Sequence, residues 1–381
     1  MNPLPVRVFV LPSDADVFTL PKTAVDEGKY YEGEWLCSAV GPEYNGLTPF
    51  RCHPHGCGTV FDADGLVIYE GGIKHGVFSG CGAYSVGGET RYLGNFEAGQ
   101  FDGVGHYMYA CGARYNGDFV KGKRHGQGHY TYACGTTYFG SWRDDCRHGQ
   151  GVQRSVQGTE YTGDWEDGKR HGHGFVVHKQ SGVFYRGDYR HNKWHGHGEW
   201  HDPGGGTVLA LTYTGAFVHG VRAGEGHLEC SNGHTVQGQF SNNVPVHARV
   251  DFTDGSSYTG GLRDELFDGL GEYRSVNGVV YSGGWRHGRR HGEGRMDEGD
   301  SSWTGAWAAD LPEGSVLLQI GNEFFTSTFA RGVETRRVHL PAMAAPGDAT
   351  AAEDTYSAPV GDAAAAGDAA CDVDFDSYMA E

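Results

Sequence analysis

The sequence contains three patterns of side chains that could do chemistry: basic residues beside closely spaced glycines, recurring histidines, and one string rich in cysteine and histidine. The first pattern is clearest in GKRHGQG, residues 122–128. Glycine-rich loops can hold phosphate groups with their backbone N–H groups, but such a loop occurs once, between a strand and a helix. Here the pattern returns about every 23 residues. The sequence therefore favours a structural role for these glycines over a nucleotide site.

Histidine recurs at one position of this pattern. The equivalent residues are His125, His148, His171, His195 and His291. On neighbouring hairpins such residues would lie about 10 Å apart, which is two strand spacings, whereas zinc binds imidazole nitrogen at about 2.0–2.1 Å. One ion therefore cannot join two of them. His171 with His173, and His195 with His197, share a strand face, but both pairs lack further ligands.

The string RCHPHGC, residues 51–57, is the most metal-like segment of the chain. Its donors are Cys52, His53, His55 and Cys57. Four donors packed into six residues can hardly all converge on one tetrahedral ion, and His55 is the histidine of the repeated pattern. We therefore predict no metal site and no cofactor.

A catalytic nucleophile is not indicated either. The chain has no G-x-S-x-G segment, in which a serine is exposed on a sharp turn between a strand and a helix. The segment DGSSYTG, residues 254–260, is a junction of the repeated pattern. We predict that the protein is not an enzyme and has no small-molecule substrate.

The glycine-rich segments belong to a repeat whose clearest mark is Tyr followed two residues later by Gly. These anchors follow one another at intervals of 22 to 28 residues, most often 23. They are Tyr69, Tyr92, Tyr115, Tyr138, Tyr161, Tyr185, Tyr213, Val236, Tyr258, Tyr281 and Trp303. Tyr31 opens the series and Phe325 closes it, so the chain is predicted to contain about a dozen units of an extended array.

Within a unit, Y-x-G-x-(W/F) precedes a short polar loop and then G-x-G-x-aromatic. A spacing of two indicates strands, so Tyr115, Gly117 and Phe119 share one face of a first strand, and Gly126 and Gly128 share one face of a second. Each unit is predicted to be a β-hairpin in which rings of one strand cover glycines of its neighbour. The same roles are predicted for Tyr138, Gly140, Trp142, Tyr161, Gly163 and Trp165.

Pairing of successive hairpins predicts an all-β fold, an elongated single-layer antiparallel meander of tandem β-hairpins. We divide the chain into an N-terminal segment, residues 1–30, that caps the array, the tandem repeats, residues 31–337, and a tail, residues 338–381. The tail is acidic and rich in Ala, Gly and Asp, which predicts disorder.

The unit YNGDFVKGKRHGQGHYTYACGTT, residues 115–137, closely resembles the MORN (membrane occupation and recognition nexus) repeat, and the resemblance covers roughly residues 31–337. It implies a rod-like, twisted ribbon of hairpins. Arrays of this family occur in junctional membrane proteins, plant lipid kinases, a histone methyltransferase, ciliary radial-spoke heads and cytoskeletal scaffolds of protists. They often self-associate, and phospholipid binding has been proposed for several. Enzymatic members carry catalysis on an appended domain, for which the segments outside this array are too short.

The resemblance implies a non-enzymatic scaffold or adaptor that forms a homo-oligomer and links protein partners at a cytoskeletal or flagellar structure near a membrane. Two alternatives stay open: a module that binds phosphoinositides or other anionic lipids, and an accessory subunit of a separate enzyme. The chain starts without a signal peptide, and no stretch approaches the ~20 apolar residues of a transmembrane helix. The expected location is therefore the cytoplasm, at the cytoskeleton or flagellum.

A row of basic residues near the hairpin tips is the candidate surface for an anionic membrane or an acidic partner. It comprises Lys123, Arg124, Arg147, Lys169, Arg170, Lys193, Arg289 and Arg290. Acidic residues in the same loops, such as Asp144 and Glu166, could balance this charge and leave only a solvated edge. The net charge is −18 and only residues 111–200 are net basic, with 13 basic and 9 acidic groups, so no nucleic-acid partner is predicted.

Three segments depart from the pattern. In the unit from Val236, His247 and Arg249 are taken to replace the paired glycines and Pro245 enters the hairpin, which indicates a local kink, a partner site or decay of one unit. The segment DPGGG, residues 202–206, predicts a protruding loop. The end of the chain, CDVDFDSYMAE, is interpreted either as a docking peptide or as a solubilising tail.

Overall fold

The structure, a computed structural model, describes residues 7–11, 17–26, 28–39, 48–205 and 209–340. Within these ranges every regular element is a β-strand. The described residues therefore include no helix that is long and apolar enough to cross a membrane. The acidic tail beyond residue 340 and part of the predicted loop at residues 202–206 lie outside the described ranges.

The described residues form 28 strands. The first fourteen are β1 (Arg7–Leu11), β2 (Val17–Asp26), β3 (Lys29–Ala39), β4 (Thr48–Phe61), β5 (Val67–Lys74), β6 (Val77–Val86), β7 (Glu89–Glu97), β8 (Gln100–Met108), β9 (Arg114–Val120), β10 (Lys123–Thr131), β11 (Thr137–Arg143), β12 (Cys146–Arg154), β13 (Thr159–Glu166) and β14 (Lys169–His178). The others are β15 (Phe184–Arg190), β16 (Lys193–Asp202), β17 (Leu211–Val218), β18 (Val221–Cys230), β19 (Thr235–Ser241), β20 (Val244–Asp251), β21 (Ser257–Arg263), β22 (Leu266–Arg274), β23 (Val280–Arg286), β24 (Arg289–Glu298), β25 (Ser301–Ala308), β26 (Leu311–Ile320), β27 (Glu323–Ala330) and β28 (Val333–Leu340).

The strands form one antiparallel meander, as the sequence predicted. From β2 to β27 each strand pairs with the next one along the chain. At the amino-terminal end β1 pairs with the beginning of β4. The strand β4 also pairs with β3, and both strands are longer than those of the regular repeats. At the other end β28 contacts β27, where the Thr335 hydroxyl donates a hydrogen bond to the Thr328 carbonyl. The all-β hairpin fold is confirmed.

The two glycines of each G-x-G segment have different structural roles. Between β9 and β10, Arg124 pairs with Phe119 and Gly128 with Gly117, so the second strand carries extra residues and bulges. Gly126 lies in this bulge with φ +59°. A side chain is strained in this left-handed conformation, which glycine adopts readily. The first glycine therefore shapes the bulge rather than lying beneath a ring.

The second glycine lies beneath the anchor tyrosine. The Tyr115 hydroxyl donates a hydrogen bond to the Asp118 carbonyl at 3.0 Å, which lays the ring across the facing glycines Gly117 and Gly128. A Cβ added to Gly128 would overlap the hydroxyl and ring carbons of Tyr115. The aromatic cover that the sequence predicted is therefore present, and it is fixed by a hydrogen bond to the backbone.

Ten tyrosines of the described chain make this same bond to the carbonyl three residues ahead, at 2.7–3.0 Å. They are Tyr31, Tyr69, Tyr92, Tyr115, Tyr138, Tyr161, Tyr185, Tyr213, Tyr258 and Tyr281, and all are at most 1% exposed. Burial is the main cause that raises the pKa of Tyr92 and of Tyr258 to about 12. These phenols are therefore neutral hydrogen-bond donors across the physiological pH range.

The residue at the fifth position, which is aromatic in most units, joins neighbouring units. Trp142 meets its own anchor, Tyr138, edge to face with ring centroids 5.3 Å apart, and meets Tyr115 of the preceding unit at 5.4 Å. Trp165 makes the same two contacts with Tyr161 and Tyr138. Edge-to-face contacts of this kind add stability beyond the burial of area. The core is thus a ladder of rings along one face of the sheet.

Two units test this packing rule naturally, because their anchor is not tyrosine. In the unit from Val236 the residue facing Gly238 is Ala248, which is 2% exposed. In the unit from Trp303 the residue facing Gly305 is Val316, which is 1% exposed. A side chain thus occupies the second glycine position in both of these units.

The sequence interpretation of the Val236 unit was wrong about which residues replace the glycines. His247 faces Gln239 and Arg249 faces Gln237, on the side opposite the rings. The bulge in this hairpin is one residue shorter than in regular units. The residues after the bulge therefore face different partners from those that the alignment of the repeats indicated. Pro245 pairs with Phe240 and the strand continues past it.

We predict that Gly128→Ala destabilises the array by about 1–3 kcal/mol because the new methyl group overlaps Tyr115. The double variant Tyr115→Val with Gly128→Ala reproduces the natural Val236 and Ala248 pair, so its loss should be smaller than the sum of the two single losses. Urea unfolding followed by circular dichroism measures all three. Gly205→Ala is the control, because a Cβ there meets nothing within 4 Å. Strictly additive losses would show that the ring and the glycine are not coupled.

Candidate functional site: hairpin tips and outer face

The hairpin tips form a regular row because most of the described tips are hydrogen-bonded to the hairpin before them. Gly122 N–H donates to the Phe101 carbonyl at 2.8 Å, Asp145 N–H to the Arg124 carbonyl at 3.0 Å, and Gly168 N–H to the Arg147 carbonyl at 2.9 Å. The residue that begins each turn has a positive φ. Equivalent side chains of successive units are therefore held at equivalent places along this row.

The predicted basic row divides into two sets, and the first set packs inward. Arg147 lies with its guanidinium carbon 4.0 Å from the Trp165 ring centroid, and its Nη2 donates to the Gly168 carbonyl at 2.7 Å. Arg124 lies 4.3 Å from the Trp142 ring. Arg170 and Arg290 make similar contacts with Tyr161 at 4.8 Å and Trp307 at 4.7 Å. These four arginines are part of the ring ladder.

The tip position of these arginines is aromatic in other units. There Phe78 stacks on Tyr69 at 3.8 Å and Phe101 on Tyr92 at 3.9 Å. Trp194 and Phe267 stack in the same way on Tyr185 and Tyr258. The exchange of Arg for Phe or Trp at one repeat position was the sequence signal for inward packing, and our sequence analysis did not use it.

Arg222 was not among the predicted residues, yet it occupies the same position. Its guanidinium carbon is 5.4 Å from the Tyr213 ring. Burial lowers the pKa of the Arg222 guanidinium from its usual range, as it does for Arg147. The planar guanidinium tolerates this place because it stacks on rings and is weakly hydrated.

The second set of basic residues is exposed. It consists of Lys123, Lys169, Lys193 and Arg289. Lys123 Nζ lies 3.8 Å from Asp144 Oδ1, but both side chains are more than half exposed, so this pair contributes little. Arg289 faces Arg286 across its hairpin. Of the eight predicted residues, only these four are free to meet an anionic ligand.

The tip histidines contact the next turn rather than one another. The ring of His171 lies 5.4 Å from that of His191, and the ring of His195 lies 5.8 Å from that of His219. His173, the predicted strand-face partner of His171, instead faces the carboxylate of Asp188. The predicted pairs therefore do not form chelating groups.

The histidines of the metal-like string RCHPHGC lie close to a third histidine that the sequence analysis did not identify. His53 and His55 meet His75, and their ligand atoms lie within 4.8 Å of one another, the only group of three metal donors found in the described part of the chain. Cys57 is exposed and outside this group, and the side chain of Cys52 lies outside the described residues. Burial, followed by the neighbouring rings of His75 and His55, lowers the pKa of His53.

The face opposite the rings, called here the outer face, varies from unit to unit. Large apolar side chains stand on it at Leu93, Val104, Phe139 and Leu270, which are 59%, 65%, 58% and 78% exposed. Phe139 pairs with His129 on one side and Val152 on the other. Other parts of the face are polar; for example, the Gln127 amide donates to the Ser141 hydroxyl at 2.8 Å. The outer face is thus where the repeats differ.

A comparison with protein families finds the MORN repeat eight times between residues 92 and 297. The matched segments are 92–114, 115–137, 138–160, 161–176, 185–207, 213–235, 258–280 and 281–297. They begin at the buried anchor tyrosines. A search of curated proteins finds no significant match.

Two solved structures found by comparison resemble this chain weakly. A SAS-4 (dCPAP) TCP domain of Drosophila melanogaster, in complex with a proline-rich motif of Ana2 (dSTIL), is 10% identical, with 51% of this chain and 84% of that chain covered and a TM-score of 0.21. A streptogramin B lyase is 10% identical, with 84% and 96% covered and a TM-score of 0.13. Scores this low support no argument about fold or function.

We predict that Arg147→Ala costs about 1–3 kcal/mol, because it removes both the contact with Trp165 and the hydrogen bond to the Gly168 carbonyl. Arg147→Phe should retain most of the stability, since Phe occupies this position in other units. Arg143→Ala is the control: its side chain is 51% exposed and pairs with Asp167 on the surface, so the change should cost under about 0.5 kcal/mol. Urea unfolding measures the three variants. Equal stability of Arg147→Ala and Arg143→Ala would contradict the inward role.

Proposed function

The chain is a MORN-repeat protein, and from this we propose that it is a non-enzymatic scaffold that self-associates and links protein partners at a cytoskeletal or flagellar structure near a membrane. The observation that carries the proposal is the difference between the two faces of the sheet. One face is covered by the ring ladder, and its side chains are nearly the same in every unit. The other is open and carries a different set of side chains in each unit.

An outer face of this kind suits protein partners that extend along several units. Leu93 on β7 and Phe139 on β11 are four strand spacings apart, or roughly 19 Å. Large apolar side chains separated by polar ladders match the pattern of a few anchor residues within a polar surround that gives protein interfaces their affinity. Because the anchors differ between units, different partners can bind to different parts of one array.

The carboxy-terminal edge of the sheet supports the self-association part of the proposal. The residues of β28 are nearly all exposed, including Val333 at 66% and Val338 at 41%. A terminal strand presents unpaired backbone N–H and C=O groups, which favours pairing with a strand of another chain. A second copy of this protein offers the same edge.

The non-enzymatic part of the proposal is supported by the structural roles of the residues whose pattern first suggested a phosphate-binding loop. Gly126 shapes the bulge, and Gly128 lies beneath Tyr115. Arg124 stacks on Trp142. The phosphate-loop pattern GKRHGQG is therefore accounted for by the hairpin.

We predict that the tagged protein in its native cell stays with the cytoskeletal fraction after detergent extraction, because protein contacts rather than lipid hold it there. The outer-face variant Leu93→Glu with Phe139→Glu should be released, since charge at these two sites opposes burial against a partner. The control is Gln237→Glu with Ser282→Glu, at positions of the same face whose cross-strand neighbours are polar, which should be retained. Complete release of the wild type by detergent would contradict the cytoskeletal scaffold.

The exposed basic set, Lys123, Lys169, Lys193 and Arg289, favours a second candidate function, binding to an anionic lipid surface. Each basic side chain near such a surface contributes about 1 kcal/mol. The inward arginines add little, so the attraction is about half of what the full row of eight residues suggests. The net charge of −18 opposes it further, although screening over ~8 Å at physiological salt limits that opposition.

We predict weak, salt-sensitive sedimentation of the protein with vesicles rich in phosphoinositide, lost when the four exposed basic residues become Glu. The control variant changes Arg114, Arg154, Lys179 and Arg274 to Glu. These residues lie at the strand ends opposite the hairpin tips, so the control changes the net charge equally and should still sediment. If the wild type fails to sediment even at low salt, or both variants behave alike, the lipid candidate fails and the scaffold proposal is unaffected.

The remaining candidate, an accessory subunit of a separate enzyme, differs in its stoichiometry. An accessory subunit co-purifies with one catalytic chain at a fixed ratio, whereas a scaffold does so with several proteins at varying ratios. Quantitative mass spectrometry of the same native-cell preparation separates the two.

A further inference from the structure

We propose that His53, His55 and His75 form a binding site for a divalent transition metal ion of the zinc class. The three side chains offer one ligand nitrogen each, and these atoms all lie within 4.8 Å of one another. Nε2 of His53 and Nδ1 of His75 are 2.8 Å apart. The three ring centroids are 5.0–6.3 Å apart. This is the grouping of three donors that the sequence alone did not suggest.

The spacing of the three nitrogens is close to what a tetrahedral ion requires. Ligand bonds of about 2.0–2.1 Å place the nitrogens of a tetrahedral zinc site roughly 3.3 Å apart. Nε2 of His53 and Nδ1 of His75 are 2.8 Å apart and no pair of the three ligand atoms is more than 4.8 Å apart, so modest side-chain rotations would bring all three nitrogens onto one ion. Imidazole nitrogen selects zinc, copper or nickel over magnesium and calcium, which prefer oxygen. Three ligands leave one position for water or for a group from a partner.

The backbone holds the three histidines in place. His53 and His55 are two residues apart on β4, so their side chains leave the same face of that strand. The turn that carries His75 is held against β4 by the hydrogen bond from Gly76 N–H to the Pro54 carbonyl at 2.8 Å. His75 N–H also points at Nδ1 of His55, at 3.3 Å. The site is therefore organised by the backbone hydrogen bond to the preceding hairpin that most hairpin tips make.

Other units have the same three positions but not three histidines. Two of them supply two imidazoles each and a lysine at the first position, which repels a cation. The corresponding sets are Lys169, His171 and His191, and Lys193, His195 and His219. They therefore provide matched controls with the same backbone and one fewer ligand.

A bound ion would join two successive hairpins, because His53 and His55 belong to the hairpin of β3 and β4 whereas His75 lies in the turn between β5 and β6. An ion that binds the folded chain and not the unfolded one stabilises the fold. The expected effect is local to the amino-terminal units of the array.

The test uses the full chain without a polyhistidine tag. Cobalt(II) serves as the probe, since its visible absorption reports tetrahedral coordination, and zinc is then added to displace it. We expect one cobalt ion per chain, displaced by zinc and unaffected by excess magnesium. His75→Ala and His53→Gln should each weaken binding by about tenfold or more, whereas His191→Ala should leave it unchanged. Circular dichroism verifies that the variants are folded.

Three results would overturn the proposal. The first is no uptake of cobalt or zinc by the wild type. The second is equal binding by His75→Ala and His191→Ala. The third is intense thiolate charge-transfer absorption from bound cobalt, which would assign the ion to cysteines. Should one histidine variant fail to fold, the other decides, because they alter different hairpins of the site.

Discussion

The structure depends on one repeated hydrogen bond, from the hydroxyl of each anchor tyrosine to the carbonyl three residues ahead. This bond lays the ring flat over the backbone of two paired strands, where only glycine leaves room for it. A sheet with one layer has no second layer to cover its face, so the rings must form the core themselves. The aromatic residue at the fifth position then connects each ring to the next unit. Ten buried tyrosines in the described chain, all making this bond, show how completely the array relies on it.

The departures from this pattern follow from the same constraint. Where Val236 or Trp303 replaces the tyrosine, Ala248 or Val316 replaces the facing glycine, because the space is no longer taken by a ring. At the hairpin tip, Arg147 and Phe101 serve equally, because a guanidinium and a phenyl ring both present a flat surface to the ladder. Each position of the ring ladder thus requires a side chain of a particular shape and size. Side chains of different chemistry can occupy it if they meet that requirement.

The side chains that are available for binding are those that the ring ladder does not use. The outer face carries isolated apolar anchors such as Leu93 and Phe139 among polar pairs. The tips present Lys123 and its three exposed equivalents, while the amino-terminal hairpins bring His53 close to His75. Each of these features occurs in particular units only. A repeated interior with a varied exterior is the observation on which the proposed scaffold function rests.

The sequence by itself determined the hairpins, the meander and the paired glycines. These depend on local spacing: Tyr115, Gly117 and Phe119 alternate along one strand, and the interval of about 23 residues repeats the same short-range contacts. The tertiary structure showed which tip side chains turn inward, as Arg147 does onto Trp165, although the exchange of Arg for Phe or Trp at that repeat position was an unused sequence signal for it. It also decided the register of Ala248 opposite Gly238 and the approach of His75 to His53. Each of these depends on a neighbour in another strand, and a bulge that is one residue shorter changes which side chains meet without changing the repeat.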